Sequence, residues 1–321
     1  MELVQKIFGG ASLDPRSLAR NMGTALVVPM LALVLFVALW AGIAPRIETS
    51  LGAFPGPVQV LEQTQVLWAD HLNERRRSAE FYQRQDARNK ERLAEDPNYQ
   101  PRHFVYNGKP TFLDQIVTSL VTVFTGFLLA TVVAVPLGIL AGSSRIVQAA
   151  INPIVQIFRP VSPLAWLPIV TLIVSAVYVT SGTPMFQKSF LISAITVTLC
   201  SLWTTLINTA VGVTSVDKDL VNVGKVLQLP LGTRVRRIIL PSALPYIFTG
   251  MRLSLGVGWM VLIAAEMLAQ NPGLGKFVWD EFQNGSSDSL SRIMVAVLTI
   301  GLIGFALDRL MQLLQNAVEH K

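Results

Sequence analysis

An all-α integral membrane protein with about six transmembrane helices is the fold class the sequence predicts, and three observations carry the prediction. Of the 321 residues, 51% are hydrophobic and 14% charged, with a mean hydropathy of +0.50, too apolar for an ordinary soluble domain. The apolar residues gather into runs of about 20, long enough as helices to cross a bilayer core of about 30 Å. Charges cluster in the short segments between those runs, apart from one long polar insertion.

Taken in order, residues 1–23 form a mixed segment with Lys6, Arg16 and Arg20, and residues 24–44 form the first apolar run. A signal peptide is the competing reading of that run. Its apolar core would be shorter and no clear small-x-small cleavage site follows Trp40, so the run reads as a retained anchor. Residues 45–111 break the pattern. They open on Phe54-Pro55-Gly56-Pro57, continue through a charged helical stretch from Val58 to Glu95, and close on turn signals at Pro97, Pro101 and Asn107-Gly108. Ten Lys/Arg and nine Asp/Glu leave the segment nearly neutral. It reads as a solvated helical hairpin or arm, or alternatively as a docking arm for a soluble partner.

Five more spans follow, at about 114–142, 163–181, 188–211, 245–268 and 293–314. Six spans place both termini on one side. With the amino terminus cytoplasmic, the inside segments 1–23, 143–162, 212–241 and 309–321 hold twelve Lys/Arg. The short outside loops 182–187 and 269–292 hold only Lys276 and Arg292, against Asp280, Glu281 and Asp288. This is the positive-inside pattern. The 67 residues of 45–111 fall outside with their ten cations, which is tolerated because loops above about 60 residues translocate largely regardless of charge.

Two spans carry small residues every fourth position: Gly126, Ala130, Ala134, Gly138 and Gly142, and then Gly250, Ser254 and Gly258. Such ridges let helices approach closely, and they read as structural. Pro136, Pro168 and Pro184 would kink or end helices. The single cysteine, Cys200, lies in an apolar run and reads as packing. The net charge of +6 sits beside the spans, where phospholipid headgroups are a simpler partner than nucleic acid.

Between the fourth and fifth spans, residues 216–229 place Val216, Leu220, Val223, Val226 and Leu227 on one stripe of a short helix. Pro230 and Gly232 are expected to close it, and Arg234, Arg236 and Arg237 follow. An ordinary cytoplasmic loop and a partner-binding helix are both compatible with that pattern.

The run from Asp217 to Gly256 resembles the cytoplasmic "EAA" loop of permease subunits in binding-protein-dependent ABC importers. Ile238, Leu240 and Pro241 match the right half of the motif. The left half departs: Asn222 stands for the usual Glu, Val223 and Gly224 for Ala-Ala, and Gln228 for Gly. The continuation PYIFTGMRLSLGVGWMVLIAAEML and then NPGLGKFVWD is similar to the nitrate, bicarbonate, cyanate and sulfonate branch. The resemblance covers roughly residues 112–317. It implies a type I ABC importer permease fold, with Leu220, Asn222, Val223, Gly224, Lys225, Leu227, Gln228, Ile238, Leu240 and Pro241 coupling the spans to ATPase subunits. It also implies a second permease copy and a periplasmic or lipoprotein substrate-binding protein. Relatives have a shorter segment at 45–111, so the resemblance gives that arm no role.

The sequence shows no catalytic constellation. His71, His103 and His320 are far apart and outside the spans, which disfavours a shared metal site. There is no G-x-x-x-x-G-K-[ST], and Gly273-Leu274-Gly275-Lys276 lacks its first glycine and its Ser/Thr. The chain therefore cannot bind ATP by a P-loop; the resemblance implies ATP and Mg on a separate ATPase, and no cofactor is expected on this chain. Arg252 and Glu266 lie within the fifth span, and intramembrane charges are functional candidates by default. Arg252 reads either as snorkelling to the headgroups or as a cation beside an anion path. Glu266, which recurs in the branch resembled, reads as hydrogen-bonded packing or as a gate. Trp166 and Trp259 are candidates to line the pore or to sit in interfacial belts.

The resemblance makes the leading expectation a permease subunit of an ATP-driven importer for a small oxyanion. Nitrate comes first, with bicarbonate, cyanate or a sulfonate such as taurine as alternatives. A self-sufficient secondary transporter or channel would need an ion relay from Glu266, Arg252, Asp114 and Asp308. A membrane enzyme would need an acid/base or metal set.

Overall fold

The computed structural model describes residues 15–49, 52–178 and 186–319. The expectations for residues 1–14, for the end of the third span with Pro184, and for His320 and Lys321 lie outside them.

Helix α1 (Pro15–Ile43) leads through a 3-10 turn (Ala44–Arg46) and a two-stranded ladder of β1 (Glu48–Thr49) with β2 (Gly52–Ala53) into α2 (Pro57–Glu95). This second helix is 39 residues long, about 58 Å at 1.5 Å per residue. It is the expected charged arm, built as a single helix. The prolines at 97, 101 and 110 keep the returning chain out of a second helix, and that chain runs back along α2. Gln85 and Asn89 donate to the carbonyls of Phe104 (3.0 Å) and Arg102 (3.1 Å), and the Tyr106 hydroxyl donates to Glu74 at 2.7 Å.

The base of the arm is fastened to the helices of the bundle. Val60 and Leu67 pack with Phe277, Val295 and Ala296. Arg292 donates to Gln63 at 3.3 Å, His71 Nδ1 meets the Thr111 hydroxyl at 2.7 Å, and Arg75 pairs with Asp114. Thr111 and Asp114 form a capping box that starts α3 (Phe112–Ser143).

The chain continues as α4 (Arg145–Phe158), α5 (Pro163–Val177), α6 (Lys188–Thr214), α7 (Lys218–Val226), α8 (Leu231–Arg234), a π-helical turn (Val235–Ile239), α9 (Leu240–Ala269), α10 (Leu274–Asn284) and α11 (Ser289–Glu319). Among the described residues, five helices are long and apolar enough to cross a membrane: Val27–Arg46, Phe112–Ser143, Lys188–Thr214, Gly232–Ala269 and Ser289–Val318. The sixth crossing differs from expectation. Helix α5 has 15 residues, about 22 Å, too short to cross alone. It becomes a span only together with α4, from which it is bent by 101°. The region read as a cytoplasmic loop at 143–162 is therefore mostly helix, broken where Pro160 and Pro163 interrupt the ladder.

Helix α6 is the most buried of the spans. Parallel to it runs α3: Gly126 faces Ala194 and Val197, Gly138 faces Leu206 and Thr209, and Gly142 faces Ala210 and Val213. Helix α9 runs antiparallel on another side, with Gly250 against Asn208 and Gly258 against Ser201. A Cβ at Gly138 would stand 2.6 Å from the Thr209 Cβ and 2.8 Å from the Leu206 carbonyl oxygen, so the missing side chains set the helix spacing. Both small-residue ridges are packing surfaces.

Candidate coupling helix and polar groups within the membrane

Helix α7 starts where the Asp217 carboxylate accepts the Asp219 amide at 2.9 Å. It ends earlier than the 216–229 expected, and by another device. The Leu229 amide returns to the Gly224 carbonyl at 3.0 Å while Gln228 adopts φ 50°. That is a Schellman-type close with Gln228 in the left-handed position usually given to glycine. Pro230 and Gly232 follow the stop instead of making it.

The two faces of α7 differ. Leu220, Val223 and Leu227 are 49%, 53% and 63% exposed, on the stripe the spacing predicts, whereas Val216, expected on the same stripe, precedes the helix and is buried in the bundle. Asp219, Asn222, Val223, Val226 and Leu227 line a shallow hollow of about 410 Å³ there. Gly224 points the other way. It is buried, and a Cβ on it would lie 2.9 Å from Ile238 Cδ1. Its smallness lets α7 rest on its own chain and does not widen the exposed face. Lys225 belongs to α7, but its side chain lies outside the described ones.

Ile238, Leu240 and Val221 pack on a cluster of Val213, Val216, Ile239, Ala243 and Ile247, which Val135 and Ile139 of α3 also join. Pro241 is exposed in the first turn of α9, where no amide donor is needed. A push on α7 therefore reaches α3, α6 and α9 through apolar contacts.

Within the spans, Arg252 does not stand free. It forms a bidentate pair with Asp308 of α11. Glu266 is fully buried and accepts the Gly275 amide at 3.0 Å and the Ser119 hydroxyl at 2.9 and 2.8 Å. Ser119 in turn accepts the Leu274 amide at 2.9 Å. The carboxylate thus caps the amino terminus of α10 and ties it to α3, a favourable place for an anion. Gly273 is required there, because a Cβ would fall on that carboxylate. Beside it, Asn271 donates to Thr122 at 3.2 Å.

Trp259 does not line an open face. It is 5% exposed in the core cluster, and its indole N–H donates to the Ile300 carbonyl at 3.0 Å. Trp166 is half-buried beside Phe158. Sequence reasoning missed Asp308 as the partner of Arg252 and missed the Ser119 and Gly275 ligands of Glu266. It also missed α10, although Leu274, Phe277, Val278 and Glu281 follow a helical period after the Asn271-Pro272-Gly273 break.

The family model described as "Binding-protein-dependent transport system inner membrane component" matches residues 134–320, more than half of the chain. The nitrate import permease protein NrtB of Synechocystis sp. is 37% identical over 204 residues, 64% of this chain and 69% of that protein. The bicarbonate transport system permease protein CmpB of Synechococcus elongatus is 36% identical over 203 residues, 63% and 68% of the two chains. Among solved structures, an inward-facing MetNI methionine ABC transporter aligns with a TM-score of 0.55 at 16% identity, covering 64% of this chain and 95% of that one. An amino acid ABC transporter aligns at 0.51 with 12% identity. The fold is that of ABC importer permeases, and ATP hydrolysis in such systems belongs to a separate subunit. With its exposed amphipathic helix set between two spans, the chain belongs to the family of inner membrane components of binding-protein-dependent transport systems.

Proposed function

We propose that this chain forms half of the membrane path of an ATP-driven importer for a small oxyanion, nitrate foremost and bicarbonate next. The observation that carries the substrate class is its 35–37% identity to nitrate and bicarbonate permeases. Cyanate and sulfonates remain rivals for the uptake assay. Helix α7 is the joint to the ATPase: its exposed Leu220, Val223 and Leu227 suit a partner groove, as amphipathic helices do. Asn222, Lys225 and Gln228 flank that contact, Gly224, Ile238 and Leu240 hold the joint to the bundle, and Pro241 opens α9 behind it.

The charge distribution supports a topology with 1–23 and both termini in the cytoplasm, 24–44 as the first span, 45–111 as a periplasmic arm, and 112–317 as the permease core in the bacterial inner membrane. ATP and Mg reside on the partner ATPases. The substrate arrives from a binding protein, two permease copies enclose the path, and lipid covers the outer faces. The test is reconstitution with the cognate ATPases and binding protein, followed by uptake of labelled nitrate and bicarbonate. ATP-dependent nitrate uptake in excess of the rivals is expected. Uptake without ATP would place the chain among secondary transporters instead.

A further inference from the structure

The broken span is the feature that the proposed function has not used. Val155 near the end of α4 packs with Ala134, Trp203 and Leu206. Trp203 lies near the middle of α6, about 16 Å from its Thr214 end, so the elbow between α4 and α5 stands deep in the membrane. Irregular backbone at that depth is tolerated only inside protein or beside a water-filled path.

Three donors lie in or beside the elbow, and none has an acceptor among the described residues. Arg159, in the elbow itself, is exposed on the protomer and makes no ion pair among the described residues. Facing hydrocarbon, such a charge is costly, so Arg159 belongs against protein or water. Next to it, Phe158 stacks on Trp203 at 6.1 Å and tilts against Trp166 at 5.6 Å. Both indole N–H groups are buried and unpaired, and Trp203 as a whole is 9% exposed. An unmade hydrogen bond at a buried donor is expensive, and two in one aromatic cluster point to an acceptor that visits. Ser162 caps the positive end of α5 at the same break. Broken helices of this kind hold ions at the midplane of transporters.

We infer that the α4–α5 elbow is a waypoint for the transported oxyanion, with the Arg159 guanidinium and the indole N–H groups of Trp166 and Trp203 as its donors. This rests on the proposed oxyanion import. An oxyanion suits the set because all three groups donate and none accepts.

The test uses the complete transporter in proteoliposomes with labelled nitrate. Trp166→Phe and Trp203→Phe keep an aromatic ring and delete the N–H. Each is expected to raise KM for uptake about fivefold, the effect of one lost hydrogen bond, while binding-protein-stimulated ATPase activity persists. Arg159→Gln is expected to lose at least about tenfold in uptake, and Arg159→Lys to retain most of it. In a Cys200→Ala background, Arg159→Cys should react with a membrane-impermeant thiol reagent, and saturating nitrate should slow that reaction. Unchanged KM in both Trp variants with normal uptake by Arg159→Gln overturns the waypoint, and so does an inert Cys at 159. Absence of nitrate uptake by the unsubstituted transporter counts instead against the oxyanion reading.

Discussion

Arg252 and Asp308 join the middle of α9 to α11 by two parallel hydrogen bonds, Nε to Oδ1 at 2.6 Å and Nη2 to Oδ2 at 2.8 Å. Either charge alone within a span is costly. Arg252→Gln and Asp308→Asn should each lower the thermal stability of the purified protein, and the double variant should recover part of the loss. A double-mutant cycle is expected to show a coupling of about 1–2 kcal/mol. Strict additivity would mean that the pair carries no stability.

Glu266 separates packing from gating. In Glu266→Gln the side-chain amide offers a donor where Gly275 and Ser119 already donate, so a destabilisation of about 1–3 kcal/mol is expected. Gly273→Ala should do the same by forcing a methyl group onto the carboxylate. Thermal melts of both variants, beside a leak assay in liposomes, decide the matter. A Glu266→Gln protein that melts normally but leaks anions would make this residue a gate.

The two faces of α7 predict opposite outcomes for neighbouring substitutions. Val223→Asp places a charge in the ATPase groove, at a cost of several kcal/mol, and should release the ATPase in a pull-down while the spans stay inserted. Gly224→Ala crowds only the movable tip of Ile238, meets Arg234 at ordinary contact distance and should retain the ATPase. Equal retention by both variants would remove α7 from the coupling path.

Orientation is open to a labelling experiment. In a Cys200→Ala background, Arg77→Cys on the arm should react with an impermeant reagent from the periplasmic side. Asn222→Cys on α7 should react only from the cytoplasmic side. Labelling of both from one side contradicts the proposed topology.

Much of the fold was legible because hydrophobic runs of spanning length report on the bilayer alone, whatever their neighbours. The glycine ridges were readable for the same reason: spacing of four puts Gly250, Ser254 and Gly258 on one face before any partner is known. The broken third span was not. Arg145, Arg159 and three prolines between 153 and 163 resemble a loop in composition, and only the packing of Val155 with Trp203 shows that the chain turns back along the bundle. The stripe of α7 was readable from its period, but not the inward turn of Gly224, which depends on the later fold of Arg234 and Ile238. Asp308 lies 56 residues from Arg252, and Ser119 lies 147 residues from Glu266 in sequence, beyond any local pattern.

The Glu266 network also determines where the bundle can move. At the arm side, α3, α9 and α10 are clamped by directional bonds through Ser119, Gly275, Leu274 and Asn271. At the α7 side, α3 and α9 meet around Val213 of α6 through the apolar contacts of Val135, Ile139, Ala243 and Ile247. Like the legs of a drawing compass, α3 and α9 share a hinge held by directional bonds, while their tips are held by packing alone. A tilt of about 10° about that hinge displaces the tips by roughly 5 Å across a core of about 30 Å, so a small rotation at the clamped end opens a wide mouth at the other.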